Sequence, residues 1–219
     1  MGALLVRMAW GFEIGIQAGI QGKAPVIPKP GIDVMAWTAM MSTLCASAWG
    51  VLFTWQKAKP LLHIGEAQGI GLRRSAIQGY VSAVILAVVL TAVGLSLEKL
   101  FPPDVAKLTG PLEQLARGHG WPQAVYMLIA LCIAPPLEEF IFRGALYAAL
   151  SRFGMIAATL LTTLVFMLFH MADKIHYLPG FIPVGLLSLF TIYLRLRYRS
   201  LWPAIVLHFL YNAALILLT

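Results

Sequence analysis

Between residues 135 and 144 the chain reads PPLEEFIFRG, and Glu138, Glu139 and Arg143 stand there inside an apolar run. Glu139 and Arg143 are four apart, so a helix sets them on one face with the acid on the N-terminal side, the favourable order for an ion pair. Glu138 is turned about 100° from its neighbour and meets only Ile141 and Phe142 at its own i+3 and i+4 positions. A carboxylate with no local partner and little bulk water is the group that takes a proton from a nucleophile. The structural alternative is a Glu–Arg pair that staples two helices, with Glu138 reaching a loop. Two more clusters follow. FMLFH (166–170) ends on His170 with Phe166 one turn earlier, and HFLYN (208–212) sets His208 and Asn212 on one side of a helix. Each alone reads as well as an interfacial histidine or as polar glue between helices. Together they supply a base, ring nitrogens and hydrogen-bond donors, an inventory suited to activating water and stabilising an oxyanion.

The elements that must position these groups are membrane spans. Of 219 residues 60% are apolar and only 11% charged, with a mean hydropathy of +0.82, whereas soluble domains carry about a quarter charged residues. So little polar surface cannot coat a globule in water. The expected fold class is all-α: a polytopic integral membrane helical bundle of about six to seven transmembrane helices, forming one domain over residues 1–219 with no sizeable soluble part. Apolar stretches run over 34–56, 76–97, 122–150, 154–172, 177–194 and 201–218, each near the roughly 20 residues that cross a bilayer. A seventh, 2–20, is interrupted by Arg7 and Glu13 and reads as a marginal span, an interfacial helix or a poor signal sequence. The net charge of +7 does not point to nucleic acid, because its basic residues are scattered beside apolar runs: Lys57 and Lys59, Arg73 and Arg74, Arg195, Arg197 and Arg199. Taken as loops, 57–75, 151–153 and 195–200 fall on one side, which makes that side cytoplasmic and puts the C-terminus outside. GKAPVIPKPG (22–31), FPPD (101–104) and RGHGWP (117–122) carry turn chemistry. Cys45 and Cys132 lie in apolar runs, form no CxxC and read as packing residues.

EExxxR, FxxxH and HxxxN, in that order on successive helices, resemble the motifs of the CAAX protease and bacteriocin-processing family, intramembrane glutamic endopeptidases. The resemblance covers about residues 120–215. It implies that Glu138 is the general base, activating water together with His170, and that His208 and Asn212 stabilise the oxyanion. It also implies that Glu139 and Arg143 hold the first motif in shape, with Phe166 supporting the site. The implied activity is hydrolysis of a peptide bond in a membrane-associated or lipid-anchored protein or peptide, with neither metal nor cofactor. The small size of the chain and its lack of a eukaryotic targeting signal point to a prokaryotic inner membrane, with the lipid bilayer and the substrate as expected partners and no nucleic acid.

Two other function classes share some of these residues. A transporter or immunity protein would use Glu138, His170 and His208 as a proton or ion relay. A metalloprotease would need histidines and glutamates as zinc ligands, but HExxH is absent and His63, His119 and His176 form no second compact motif. One geometric difficulty follows from straight spans at about 1.5 Å per residue. They place Glu138 toward the cytoplasmic half and His170 toward the outer half, unless the helix restarts at Pro135-Pro136 or tilts strongly.

Overall fold

Runs of apolar residues bounded by Gly and Pro become helices throughout, and no strand occurs among the described residues. The computed structural model describes residues 2–22, 31–58, 69–104, 115–116 and 119–218. The main helices are α1 (Gly2–Ile20), α2 (Ile32–Ala58), α3 (Ile77–Leu100), α4 (Trp121–Phe153), α5 (Met155–Phe169), α6 (Phe181–Tyr198) and α7 (Trp202–Leu218). This is the expected all-helical membrane bundle. Most of GKAPVIPKPG and the whole of 59–68, with His63, lie outside the described residues.

Among the described residues four helices are long and apolar enough to cross a membrane: Ile32–Leu52, Ile77–Leu100, Trp121–Phe153 and Leu178–Tyr198. The helix α1 is not one of them. Two of the expected spans are short, with α5 at 15 residues and α7 at 17. At 1.5 Å per residue these reach about 22 and 25 Å, less than the roughly 30 Å hydrocarbon core.

The chain divides into two compact units, residues 1–50 with 109–129 and residues 51–108 with 130–219. In the first, the Trp37 and Trp121 rings meet at a tilt, 5.3 Å between centroids. The second holds every motif residue. Its α3 turns a face of small residues inward, with Ala83, Ala87 and Gly94 buried, and packs along α7 and α6. Outward, α3 shows Val81, Val84, Ile85, Val88 and Val89, and α5 shows Leu160, Leu161, Leu164 and Leu168. Small residues inside and branched apolar ones outside is the distribution of helices that pack in lipid. Hydroxyls tie the interior: Ser188 donates to Thr163 at 3.0 Å across α5 and α6.

The end of α6 departs from the loop expected over 195–200. The helix continues to Tyr198 and stops where Arg199 takes a left-handed φ of 53°. Arg195 is therefore no loop cation. It is buried within α6 and donates to the Gly69 carbonyl. The Leu201 amide donates to Gly71 at 2.9 Å and Ser200 to the Arg73 carbonyl at 2.6 Å, so residues 69–73 are strapped to the α6–α7 junction. The packing expected of the cysteines also fails at Cys132. Both are free thiols, and Cys132 is exposed.

Candidate active site

Glu138 and Glu139 sit in α4 where its register changes twice. Leu128–Ile133 and Glu139–Leu146 are π-helical, and a short α-helical piece, Ala134–Glu138, lies between them with Pro135 and Pro136 near its start. In the π register a carbonyl receives the amide five residues on. For Ala130 that residue is Pro135, which has no N–H. Asn212 of α7 fills the gap, its side-chain amide donating to the Ala130 carbonyl at 2.9 Å. The residue expected at the oxyanion thus also closes the proline break one turn before Glu138, and one amide hydrogen is left for other partners.

Glu139 is fully buried and bridges two cations or potential cations. One oxygen, Oε2, lies 3.3 Å from Arg143 Nε, the i,i+4 pair expected from spacing. The other, Oε1, accepts from His208 Nδ1 at 2.9 Å. Arg143 is fully buried as well, and its guanidinium lies 4.0 Å over the Phe166 ring. Phe166 in turn contacts the His170 ring at 4.5 Å between centroids. The phenylalanine of the second motif therefore serves as the floor for the arginine of the first and as a wall for its own histidine. In a medium with little water this cation–π contact offsets part of the cost of burying Arg143.

The two histidines are oriented alike. His170 Nδ1 lies 3.0 Å from the Phe166 carbonyl, which only accepts, so Nδ1 carries the proton. His208 Nδ1 is held the same way by Glu139. Both rings then turn Nε2 toward Glu138 Oε2, at 3.8 Å from His170 and 3.9 Å from His208. These separations are too long for direct hydrogen bonds, and Glu138 Oε2 has no protein donor. The expected conflict of depth between Glu138 and His170 does not arise, because the register changes of α4 and the short α5 bring them together.

Glu138, His170, His208 and Asn212 open onto a cavity of about 160 Å³. Four lining residues with polar or charged side chains were not singled out in the sequence as site residues: Glu98 of α3, Lys174, Tyr177 and Tyr211. Tyr211 lies inside HFLYN, three residues from His208, and that spacing was the available signal. Glu98 and Lys174 look like loop charges in the sequence, and nothing local marks them. Burial, with the Glu98 charge adding to it, raises the Tyr177 phenol above its ordinary value. His119 and His176 are exposed, and neither is a lining residue of the cavity.

Residues 120–214 match the family described as Rce1-like, type II CAAX prenyl endopeptidase Rce1-like. No curated protein and no solved structure matches the chain. The matched segment is a little under half of the chain, yet it contains all three motifs, both glutamates and both cavity histidines. That segment is similar to the Rce1-like enzymes of the CAAX protease type, in line with the resemblance of the three motifs, and the apolar helices are those of an integral membrane protein.

Proposed function

We propose that the chain is an intramembrane endopeptidase that cleaves a membrane-associated or lipid-anchored protein or peptide with a water activated by Glu138. The observation that carries this reading is the convergence of Glu138 Oε2, His170 Nε2 and His208 Nε2 within 3.9 Å at a cavity wall. With both Nδ1 protons committed, all three facing atoms are hydrogen-bond acceptors. Three acceptors about one point suit a water molecule, which offers two hydrogens to them and keeps a lone pair for attack. In the step that follows, the water oxygen bonds to the substrate carbonyl carbon and its proton passes to Glu138. A histidine that is protonated becomes a donor at Nε2, as an oxyanion requires. The tetrahedral intermediate then expels the amine, which takes the proton back from Glu138 as the C–N bond breaks.

Zinc suits this trio less well. Three tetrahedral ligands about 2.1 Å from the metal stand roughly 3.4 Å from one another, closer than the 3.8 and 3.9 Å found here. Among the described residues no three His, Cys, Asp or Glu form a metal-holding group.

The remaining basic loop residues support a cytoplasmic α6–α7 junction and an outside C-terminus in a prokaryotic inner membrane, since Arg197 and Arg199 still flank the end of α6 after Arg195 is removed from the count. The test compares protein termini in membranes from cells expressing wild type or Glu138→Gln at equal levels. New termini that vanish in the variant are the expected result. Identical termini in both, with proton or ion flux that the variant loses, would replace the peptidase by a relay.

A further inference from the structure

The junction of α6 and α7 carries positive charge that the chemistry of the cavity does not use. Four exposed arginines meet there: Arg73 ends the strap, Arg74 follows it, and Arg197 and Arg199 come from the end of α6. Neither residues 69–82 nor residues 191–210 include an aspartate or a glutamate. Beneath the strap Arg195 is buried, its Nε and Nη1 without a hydrogen-bond partner and its charge without an acid among the described residues. None of these arginines lines the cavity.

The backbone that bears them is held at several points. Besides the bonds from Ser200 and Leu201 to the strap, the Trp202 amide donates to Ser200 Oγ at 3.3 Å, and the Ser82 and Tyr198 hydroxyls share a hydrogen bond of 2.7 Å. Tyr198 packs over Gly79, where an added Cβ would stand 3.1 Å from Tyr198 Cγ and 2.4 Å from Ser75 Oγ. The Arg197 guanidinium lies 5.5 Å from the centroid of the Tyr198 ring, so Arg197 and the segment that bears Arg74 meet around one tyrosine. The helix α3 starts at the same place. Its N-cap is Ala76, which has no side chain to cap it, so the positive end of a long helix dipole adds to the arginines. Leu72, Ile77 and Trp202 are exposed beside these charges. Arginines next to exposed apolar residues and a tryptophan mark the level where headgroups meet acyl chains. A soluble anion gains nothing from the apolar members, whereas a phospholipid meets the arginines with its phosphate and the apolar residues with its chains.

We propose that the strap and the α6–α7 junction form a headgroup site for one anionic phospholipid, its phosphate held between Arg74 and Arg197 and its acyl chains lying along Ile77 and Trp202. The site is independent of the peptidase reading. A basic flank that only orients the chain and attracts anionic lipid diffusely is the competing account of the same arginines.

The test uses the full chain, delipidated in a neutral detergent, and native mass spectrometry as phosphatidylglycerol or phosphatidylcholine is added. The wild type is expected to retain one phosphatidylglycerol at concentrations where phosphatidylcholine is not retained, and to melt later in its presence. An arginine beside an anionic headgroup is worth about fivefold in affinity, so Arg74→Gln with Arg197→Gln is expected to weaken phosphatidylglycerol binding about thirtyfold. Arg152→Gln removes an exposed charge from the turn between α4 and α5, outside this junction, and is expected to bind like the wild type. Equal retention of the two lipids by the wild type, a double variant that keeps the preference, or an equal loss in Arg152→Gln would overturn the site. Salt gives a check that needs no variant. Raising NaCl to about 0.5 M screens charges at the surface and is expected to release phosphatidylglycerol from the wild type, and undiminished retention would overturn a phosphate held by arginines. Inorganic phosphate is expected to leave the melting temperature unchanged, and protection by phosphate equal to that by phosphatidylglycerol would overturn the assignment to a lipid.

Discussion

Replacing Glu139 by glutamine separates the two tasks that its carboxylate performs. The side chain is fully buried between Arg143 Nε at 3.3 Å and His208 Nδ1 at 2.9 Å. Neutralising it leaves the Arg143 guanidinium, also fully buried, without its counter-ion. Breaking a buried pair from one side costs about 3 to 5 kcal/mol, so the variant should melt well below the wild type in detergent. The second effect is chemical. A glutamine amide turned toward His208 donates to Nδ1 and forces the ring proton onto Nε2, so the face toward Glu138 changes from acceptor to donor. Loss of the correct tautomer in a buried carboxylate–histidine pair lowers kcat by about 10⁴-fold, and a similar loss is expected in turnover of a farnesylated peptide. Low stability could mimic that loss, so the informative protein is Glu139→Leu with Arg143→Met. Removing both charges should return the melting temperature most of the way to wild type, because a buried pair exchanged for apolar volume is close to neutral. Activity should stay low, since no acceptor then holds the proton on His208 Nδ1. If activity returned together with stability, Glu139 would be a counter-ion only, and the argument from His208 orientation would be refuted.

Asn212→Ala should cost about 1 to 3 kcal/mol, the penalty for leaving the Ala130 carbonyl unsatisfied. Asn212→Asp should be worse, because it sets a second acceptor against that carbonyl, and thermal melts of the two variants give the order directly. Phe166→Leu removes the ring under Arg143 at 4.0 Å and beside His170 at 4.5 Å. About 1 to 2 kcal/mol of cation–π attraction goes with it, and activity should fall more than in a Phe169→Leu control, whose ring lies 5.6 Å from His170 and is exposed. Gly71→Ala should destabilise the strap, since Gly71 has a φ of +81° and a Cβ there would stand 2.7 Å from Arg195 Nε. A strained backbone of this kind costs about 1 to 3 kcal/mol, readable as lower yield and earlier melting. Turnover should survive excess EDTA or 1,10-phenanthroline if water is activated by Glu138 and the histidines without a metal.

What the sequence revealed of this site is what local spacing can encode. Glu139 with Arg143, and His208 with Asn212, are four apart, and each pair does share a helix face. Glu138 lacked a base within one turn, and its Oε2 has no donor. Partners across helices were beyond that reasoning. Nothing in EExxxR says that Glu139 also holds His208, and nothing in FxxxH says that the phenylalanine lies under an arginine of another helix. Composition placed Arg195 in a cytoplasmic loop because its neighbours Arg197 and Arg199 are basic, and only the packing of residues 69–73 against α6 reveals it as buried. The span lengths failed in a related way. Hydropathy does not distinguish a helix that ends from an apolar turn that follows it, so 154–172 reads as continuous although α5 stops at Phe169. That stop matters to the chemistry, since it sets His170 at a helix end with its ring free to turn toward Glu138.

The proline break shows how the two kinds of information combine. Pro135 and Pro136 signalled an interruption before Glu138, and Asn212 signalled a polar group facing inward on α7, each visible in the chain by itself. Their relation is a hydrogen-bond account that closes only in three dimensions. The Ala130 carbonyl loses its donor to proline in the π register and regains one from Asn212. A carbonyl left bare in a medium without water would cost several kcal/mol, so the break is tolerable only where α7 lies alongside. Docking of α7 therefore does two things at once. It repairs the helix that carries Glu138 and brings His208 to within 3.9 Å of the Glu138 carboxylate, so the surroundings of Glu138 and the integrity of its helix are both set where α7 meets α4.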